Sequence, residues 1–197
     1  MKNLFILTFL FTLLSFTAMA QNTVRVETND GLAYQEGDKI FLAGISFGYY
    51  GYGLAGTRSV SLPPLTAALE FGIHENFSVG PYIGYASWDY RGFGSNYGWD
   101  FLSVGARGSF HYVPLVNEAL DLDLNEEKLD FYVTLLMGLE FQTYSGPDGI
   151  LSSANNTRFI FGPVLGFKYK FNDKIGAYFE GGRGAFGYGT IGVAVHF

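Results

Sequence analysis

An alternation of bulky apolar residues with small or polar residues, repeated along the chain, limits the possible folds most. In "PLTAALEFGIH", Leu65, Leu69 and Phe71 share one side of an extended strand, whereas Thr66 and Glu70 share the other. The same period of two recurs in "KIFLAGISFGY", "FSVGPYIGYASW", "FLSVGARGSFHY", "FYVTLLMGLEF", "RFIFGPVLGFKYKF", "IGAYFEG" and "TIGVAVHF". The period of about 3.6 that marks an amphipathic helix is rare. The sequence therefore predicts an all-β chain of eight strands.

The two faces of these strands indicate which solvent each face meets. One face is Phe, Leu, Ile and Val, and the other is mostly Gly, Ser, Ala and Thr with isolated charges. The second face would be a poor water-facing surface, which disfavours a soluble lipocalin-like barrel with its apolar face inward. It would instead fill the narrow lumen of an eight-stranded barrel. Because a sheet in lipid must close, we expect a transmembrane, antiparallel up-and-down β-barrel whose apolar face contacts outer-membrane lipid.

The N-terminal segment has the pattern of an export signal. "MKNLFILTFLFTLLSFTAMA" contains a basic Lys2, a long apolar run and the small-residue site Ala18-Met19-Ala20. We predict a cleaved signal peptide at 1–20 and export by the general secretory route, a periplasmic lead-in at 21–38, and the barrel domain at 39–197. The small-residue exit disfavours a transmembrane anchor. The chain has no cysteine, which excludes disulfides and a lipid-acceptor cysteine.

The connections between the strands alternate in length. "HEN" and "NDK" are short, whereas longer links rich in Gly, Tyr, Ser and Asn lie near 50–62, 88–100 and 143–157. Short periplasmic turns and long extracellular loops are typical of outer-membrane barrels. One periplasmic link, 114–130, is long and acidic, and its apolar spacing does not settle whether it forms a helix. Pro81 and Pro163 fall inside strands, where we expect local bulges.

A resemblance to a known family rests on three features of the sequence. They are the segments "ARGSFHY" and "KLDFYVTLLMGLEF", the insert between them and the final aromatic residue. Over about 39–197 the chain resembles the small eight-stranded outer-membrane β-barrel domain family of Gram-negative bacteria. The resemblance implies an integral protein of the cell outer membrane. It implies little about activity, because the family includes both adhesins and structural barrels.

Some eight-stranded barrels are enzymes that modify lipid A with a histidine near the outer leaflet. The three histidines of this chain, His74, His111 and His196, all fall at predicted periplasmic strand ends. We therefore predict no enzymatic activity. Three converging histidines could hold a metal ion, but polar rim positions are the favoured interpretation, and no cofactor or metal is predicted.

Several charged residues fall on the strand face that is predicted to line the lumen. They are Glu70, Arg107, Glu140, Arg158, Lys168, Lys170 and Glu180. Because a buried charge is costly unless it is paired, we predict a salt-bridge network that fills the lumen, with a gated ion path as the alternative. The function predicted is structural, or a surface interaction with a protein or envelope partner through the extracellular loops. A narrow low-conductance pore and an accessory subunit of an envelope complex remain alternatives.

The C-terminal run "GYGTIGVAVHF" predicts the eighth strand, which closes the barrel against the first. Its lipid-facing residues are Ile191, Val193, Val195 and Phe197. Alternating apolar positions that end in an aromatic residue resemble the signal that the outer-membrane assembly machinery recognises, so we predict that machinery as a partner. A net charge of −6 argues against nucleic acid as a partner.

Overall fold

A computed structural model describes residues 32–47, 58–92, 95–121, 124–146, 156–182 and 189–197. Eight strands and one helix follow one another in the order β1 (Lys39–Phe47), β2 (Arg58–His74), β3 (Phe77–Gly92), β4 (Ser95–His111), α1 (Val113–Leu120), β5 (Leu129–Ser145), β6 (Asn156–Lys170), β7 (Ile175–Gly182) and β8 (Gly189–His196). Each strand pairs with its sequence neighbours, and β8 pairs with β1, so the sheet is a closed barrel. The predicted fold class is confirmed. The predicted signal peptide lies outside the described residues.

The barrel places the two faces of its strands as predicted. Outward-facing side chains such as Phe161, Leu165 and Ile191 are 51%, 63% and 58% exposed, whereas inward-facing Glu70 and Glu140 are fully buried. In water such an outer surface would be an aggregation hazard, but in a bilayer it is the belt that contacts the acyl chains. The chain is therefore an integral membrane barrel, with apolar side chains on its outer surface and polar side chains in its interior.

The long connection that is predicted to be periplasmic contains the one helix of the described residues, α1, which follows β4 and has proline in its first turn. Proline is well tolerated there because the first amide groups of a helix have no partner within the helix. Within the described ranges, no helix is long and apolar enough to cross a membrane.

The bulges expected at the two prolines are not found among the residues that the structure describes. Pro81 pairs with Ala106, and Pro163 pairs with Leu135, in unbroken register. Register shifts instead occur in β2, at Val60/Leu62, Leu62/Leu65 and Gly72/His74. A missing amide donor removes one ladder hydrogen bond, but it does not require an extra residue in the strand.

Glycines on the inner face make room for three tyrosine rings that cross the lumen. A Cβ atom added at any of these glycines would overlap a ring: Tyr82 lies against Gly105 and Gly138, Tyr132 against Gly166, and Tyr178 against Gly44 and Gly192. The rings themselves are almost completely buried. Lumen packing thus depends on matching large residues on one strand with glycines on neighbouring strands.

We expect Gly166→Ala to destabilise the barrel by about 1–3 kcal/mol, the usual cost of overpacking. The added methyl group would overlap the ring of Tyr132, which is 0% exposed and cannot move outward. Gly108→Ala is the matched control, because the nearest atom to its added Cβ is Val79 Cγ1 at 4.0 Å. Urea unfolding in lipid vesicles measures both, and equal stability of the two variants would contradict the packing argument.

Candidate functional site in the barrel lumen

The centre of the lumen is an ion-pair network around Glu70. Arg107 Nε lies 3.0 Å from Glu70 Oε1, and Lys168 Nζ lies 3.2 Å from Oε2. Ser109 Oγ donates a hydrogen bond of 2.9 Å to the same carboxylate. Arg107 also pairs through Nη2 with Glu180, whose Oε1 accepts a second hydrogen bond from a neighbouring tyrosine hydroxyl. We call Glu70, Arg107, Lys168 and Glu180 the central network.

The structure extends this network through Asp130 and Ser78, which the sequence prediction missed, and through His111, which it placed at the rim. Lys168 Nζ lies 3.1 Å from Asp130 Oδ2. The Asp130 carboxylate lies 2.9 Å from His111 Nδ1, and His111 Nε2 lies 3.0 Å from Ser78 Oγ. Asp130 has inward parity in "LDFYV", which is the signal that could have placed it in the network. His111 is not a rim residue, because it is 1% exposed.

Ser78, His111 and Asp130 are connected in the order of a hydrolytic triad. All three side chains are buried, with relative exposures of 1%, 1% and 2%. The ring of Tyr34 stacks on the imidazole of His111, with 3.5 Å between the ring centroids and 7° between the planes. A substrate has no approach to Ser78 in this arrangement, so the three residues act here as a hydrogen-bonded filling.

Residues 32–38, which we call the N-terminal plug, close the end of the lumen beside the short turn between β2 and β3, which is predicted to face the periplasm. The Tyr34 hydroxyl donates hydrogen bonds to the backbone oxygens of His74, at 2.9 Å, and Phe77. The backbone amide of Gly37 donates to Gly72 O at 2.9 Å. Burial raises the pKa of Tyr34 well above its ordinary value, so the phenol stays neutral and remains a donor. The sequence showed only a polar lead-in at this place.

Two further contacts fix the N-terminal plug to the barrel. Lys170 Nζ donates to Leu32 O at 3.2 Å, so this predicted network residue holds the plug. The amide of Ala33 donates to Glu126 O at 2.7 Å, which joins the plug to the acidic connection after α1. The long periplasmic insert therefore helps to hold the plug.

The outer half of the lumen contains a separate ion pair. Arg158 Nε lies 2.9 Å from Glu140 Oε1, and Gln142 Nε2 donates to the same oxygen at 2.9 Å. Aromatic rings pack together further along the same strands, with Trp88 edge-to-face on Phe101 at 5.0 Å and Trp99 edge-to-face on a neighbouring tyrosine at 5.2 Å. The predicted charged residues are thus divided between two levels of the lumen and the plug.

The three histidines do not form a metal site with one another. In the part of the chain that the structure describes, no group of three histidine or carboxylate side chains is arranged to hold a metal ion. His74 is exposed at the periplasmic rim, whereas His111 is bonded to Asp130.

Together, a closed antiparallel sheet, an apolar outer belt and a lumen with paired buried charges define the chain as an integral β-barrel protein of the bacterial outer membrane. No protein-family model matches the sequence, and no curated protein matches it.

Solved structures show the same kind of architecture at low sequence identity. Ail, the attachment invasion locus protein of Yersinia pestis, solved with the heparin analogue sucrose octasulfate, is 11% identical over 82% of this chain and 96% of Ail, with a TM-score of 0.45. The N-terminal β-barrel domain of Pseudomonas aeruginosa OprF is 15% identical over 83% of this chain and 98% of that domain, with a TM-score of 0.36. Neisserial surface protein A is 12% identical over 81% of this chain and 94% of its own, with a TM-score of 0.39. These likenesses concern the fold alone.

We expect Arg107→Met to destabilise the folded barrel by about 3–5 kcal/mol, because it leaves the buried carboxylates of Glu70 and Glu180 without their shared cation. Lys174→Met, in the exposed turn before β7, removes the same kind of charge from water and should change stability by less than about 0.5 kcal/mol. Urea unfolding in vesicles measures both. A small effect of Arg107→Met would show that the network is not required for stability.

Proposed function

We propose that the protein is a non-enzymatic outer-membrane barrel with a filled lumen, which acts structurally or through a surface interaction of its extracellular loops. The observation that carries this proposal is the filling of the lumen at successive levels. The N-terminal plug closes the periplasmic end, and the central network lies above it. Both consist of side chains with specific hydrogen bonds.

The geometry of the filling disfavours the pore alternative. Tyr34, His111 and Tyr132 are 6%, 1% and 0% exposed, and their rings lie side by side across the periplasmic half of the lumen. An ion passing this level would have to displace the rings and separate buried ion pairs, which is costly in a medium of low dielectric constant. Conduction would therefore require a rearrangement of the plug and the network together.

Planar-bilayer recording tests the filled lumen directly. We expect the wild-type protein to give no steady channels, and the double variant Tyr34→Ala with Arg107→Ala to give discrete ones, because it removes one ring and the central cation. Tyr169→Ala, which shortens an outward-facing tyrosine of β6, is the control and should behave as wild type. Steady channels from the wild-type barrel would contradict the proposal and favour the pore.

We also propose that the C-terminal strand is the part that the assembly machinery recognises. Phe197 is 79% exposed, so its ring adds little packing to the finished barrel, while its backbone amide donates to Lys39 O at 3.0 Å. The side chain and the closing hydrogen bond can therefore be separated experimentally.

We expect Phe197→Ala to lower the amount of barrel in the outer membrane several-fold, although protein refolded in vitro keeps its stability, because the backbone bond is retained. Phe171→Ala, which removes another exposed ring at 60% exposure, serves as the matched control. Membrane fractionation with heat-modifiability on gels measures assembly. Normal membrane levels of Phe197→Ala would refute the role of this side chain.

A further inference from the structure

We propose that Tyr82, Ser103 and Glu140 form a site for one hydroxyl oxygen, supplied by water or by a hydroxylated solute, in the outer half of the lumen. Their exposures are 6%, 0% and 0%. In the described part of the chain, Tyr82 OH, Ser103 Oγ and Glu140 Oε2 are buried atoms without a hydrogen-bond partner. Buried polar atoms in folded proteins are nearly always bonded, either to protein or to an ordered water.

The strand register brings these three side chains to adjacent inward-facing positions of β3, β4 and β5. Ser103 of β4 lies directly opposite Glu140 of β5, and both point inward. Directly opposed side chains of an antiparallel pair start about 4.5–5.5 Å apart at their Cβ atoms. Tyr82 of β3 is paired with Gly105, and its hydroxyl lies against Gly138, the inward-facing residue next to Glu140 on β5. The proposed oxygen lies between these adjacent positions, where it would bridge the three unpaired atoms.

The donors and acceptors around this position match a hydroxyl oxygen rather than a cation. Glu140 Oε1 is ion-paired with Arg158 and accepts from Gln142, so Oε2 is a free acceptor, while Tyr82 and Ser103 each carry one O–H donor. A hydroxyl oxygen accepts from two donors and donates to one acceptor, which satisfies all three atoms. A cation would leave both O–H groups without an acceptor, and Arg158 already balances the charge of Glu140.

Access to the site is from the outer side of the membrane. The Arg158 side chain is 45% exposed, yet it reaches the carboxylate of Glu140, which is fully buried. The site is thus one side chain below the surface, at the opposite end of the lumen from the N-terminal plug. Its occupant can exchange when Arg158 moves, and the site does not depend on whether the barrel conducts.

A crystal structure of the wild-type protein, prepared without glycerol or other polyols, tests occupancy. We expect one oxygen peak within about 2.7–3.2 Å of Tyr82 OH, Ser103 Oγ and Glu140 Oε2. An empty position would overturn the proposal, and so would a direct hydrogen bond from Tyr82 to Glu140 that leaves no room for an oxygen.

Nuclear magnetic resonance of the barrel in micelles distinguishes the two sources of the hydroxyl. A water cross-peak at Ser103 or Gly138 that glycerol and glucose leave unchanged assigns the oxygen to water. Saturable shifts of the same amides with either solute, and loss of the water cross-peak, assign it to a hydroxylated solute. Absence of both signals would overturn the site.

A double-variant cycle supplies a readout that loss of packing alone would not give. If one oxygen bridges the two hydroxyls, Tyr82→Phe combined with Ser103→Ala should lower Tm by clearly less than the sum of the single variants, because the first change already loosens the bridging oxygen. Tyr82→Phe with Ser46→Ala is the control, because Ser46 bonds directly to Thr190 at 2.7 Å, and its effect should add. Additive behaviour in both cycles would overturn the shared occupant.

Discussion

Every other feature of this barrel depends on the requirement that a sheet in lipid has no free edge. The ladder between β1 and β8 meets that requirement, since it pairs Ile40 with His196 at one end and Phe47 with Gly189 at the other. The backbone N–H and C=O groups of the strands, which lipid cannot hydrogen-bond, are thereby paired between neighbouring strands. Closure at eight strands then fixes a lumen only wide enough for side chains.

The narrow lumen explains which residues occur on the inner face. Rings as large as Tyr132 fit because glycines such as Gly166 face them across the strand ladder. Charges fit only where a counter-charge reaches them from another strand, as Arg107 of β4 reaches Glu70 of β2 and Glu180 of β7. Lumen contacts of this kind connect strands that do not pair in the sheet, so they brace the barrel from inside.

The sequence was sufficient to predict which face of each strand lines the lumen. It was not sufficient to predict how far along the barrel axis each inward-facing residue lies. Parity alone placed Glu70, Arg107 and Lys168 inside, because a period of two is a local property of the backbone. It could not show that Glu140 and Arg158 form a pair apart from them, since height depends on the stagger between strands. It also missed Tyr34, because no local pattern indicates that an irregular segment enters a barrel. The expected bulges at Pro81 and Pro163 failed for a related reason, since composition marks a missing donor but not the way in which the ladder accommodates it.

The two halves of the lumen hold their buried charges in different ways. On the periplasmic side, Glu70, Asp130 and His111 are linked through Lys168 and Tyr34 to both the wall and the N-terminal plug, so any one group is held by several others. On the outer side, Glu140 has one ion pair, made by a half-exposed Arg158, together with an unpaired oxygen. Loss of the outer ion pair would therefore leave one buried carboxylate without a cation, whereas the same change in the other half would disturb several linked charges.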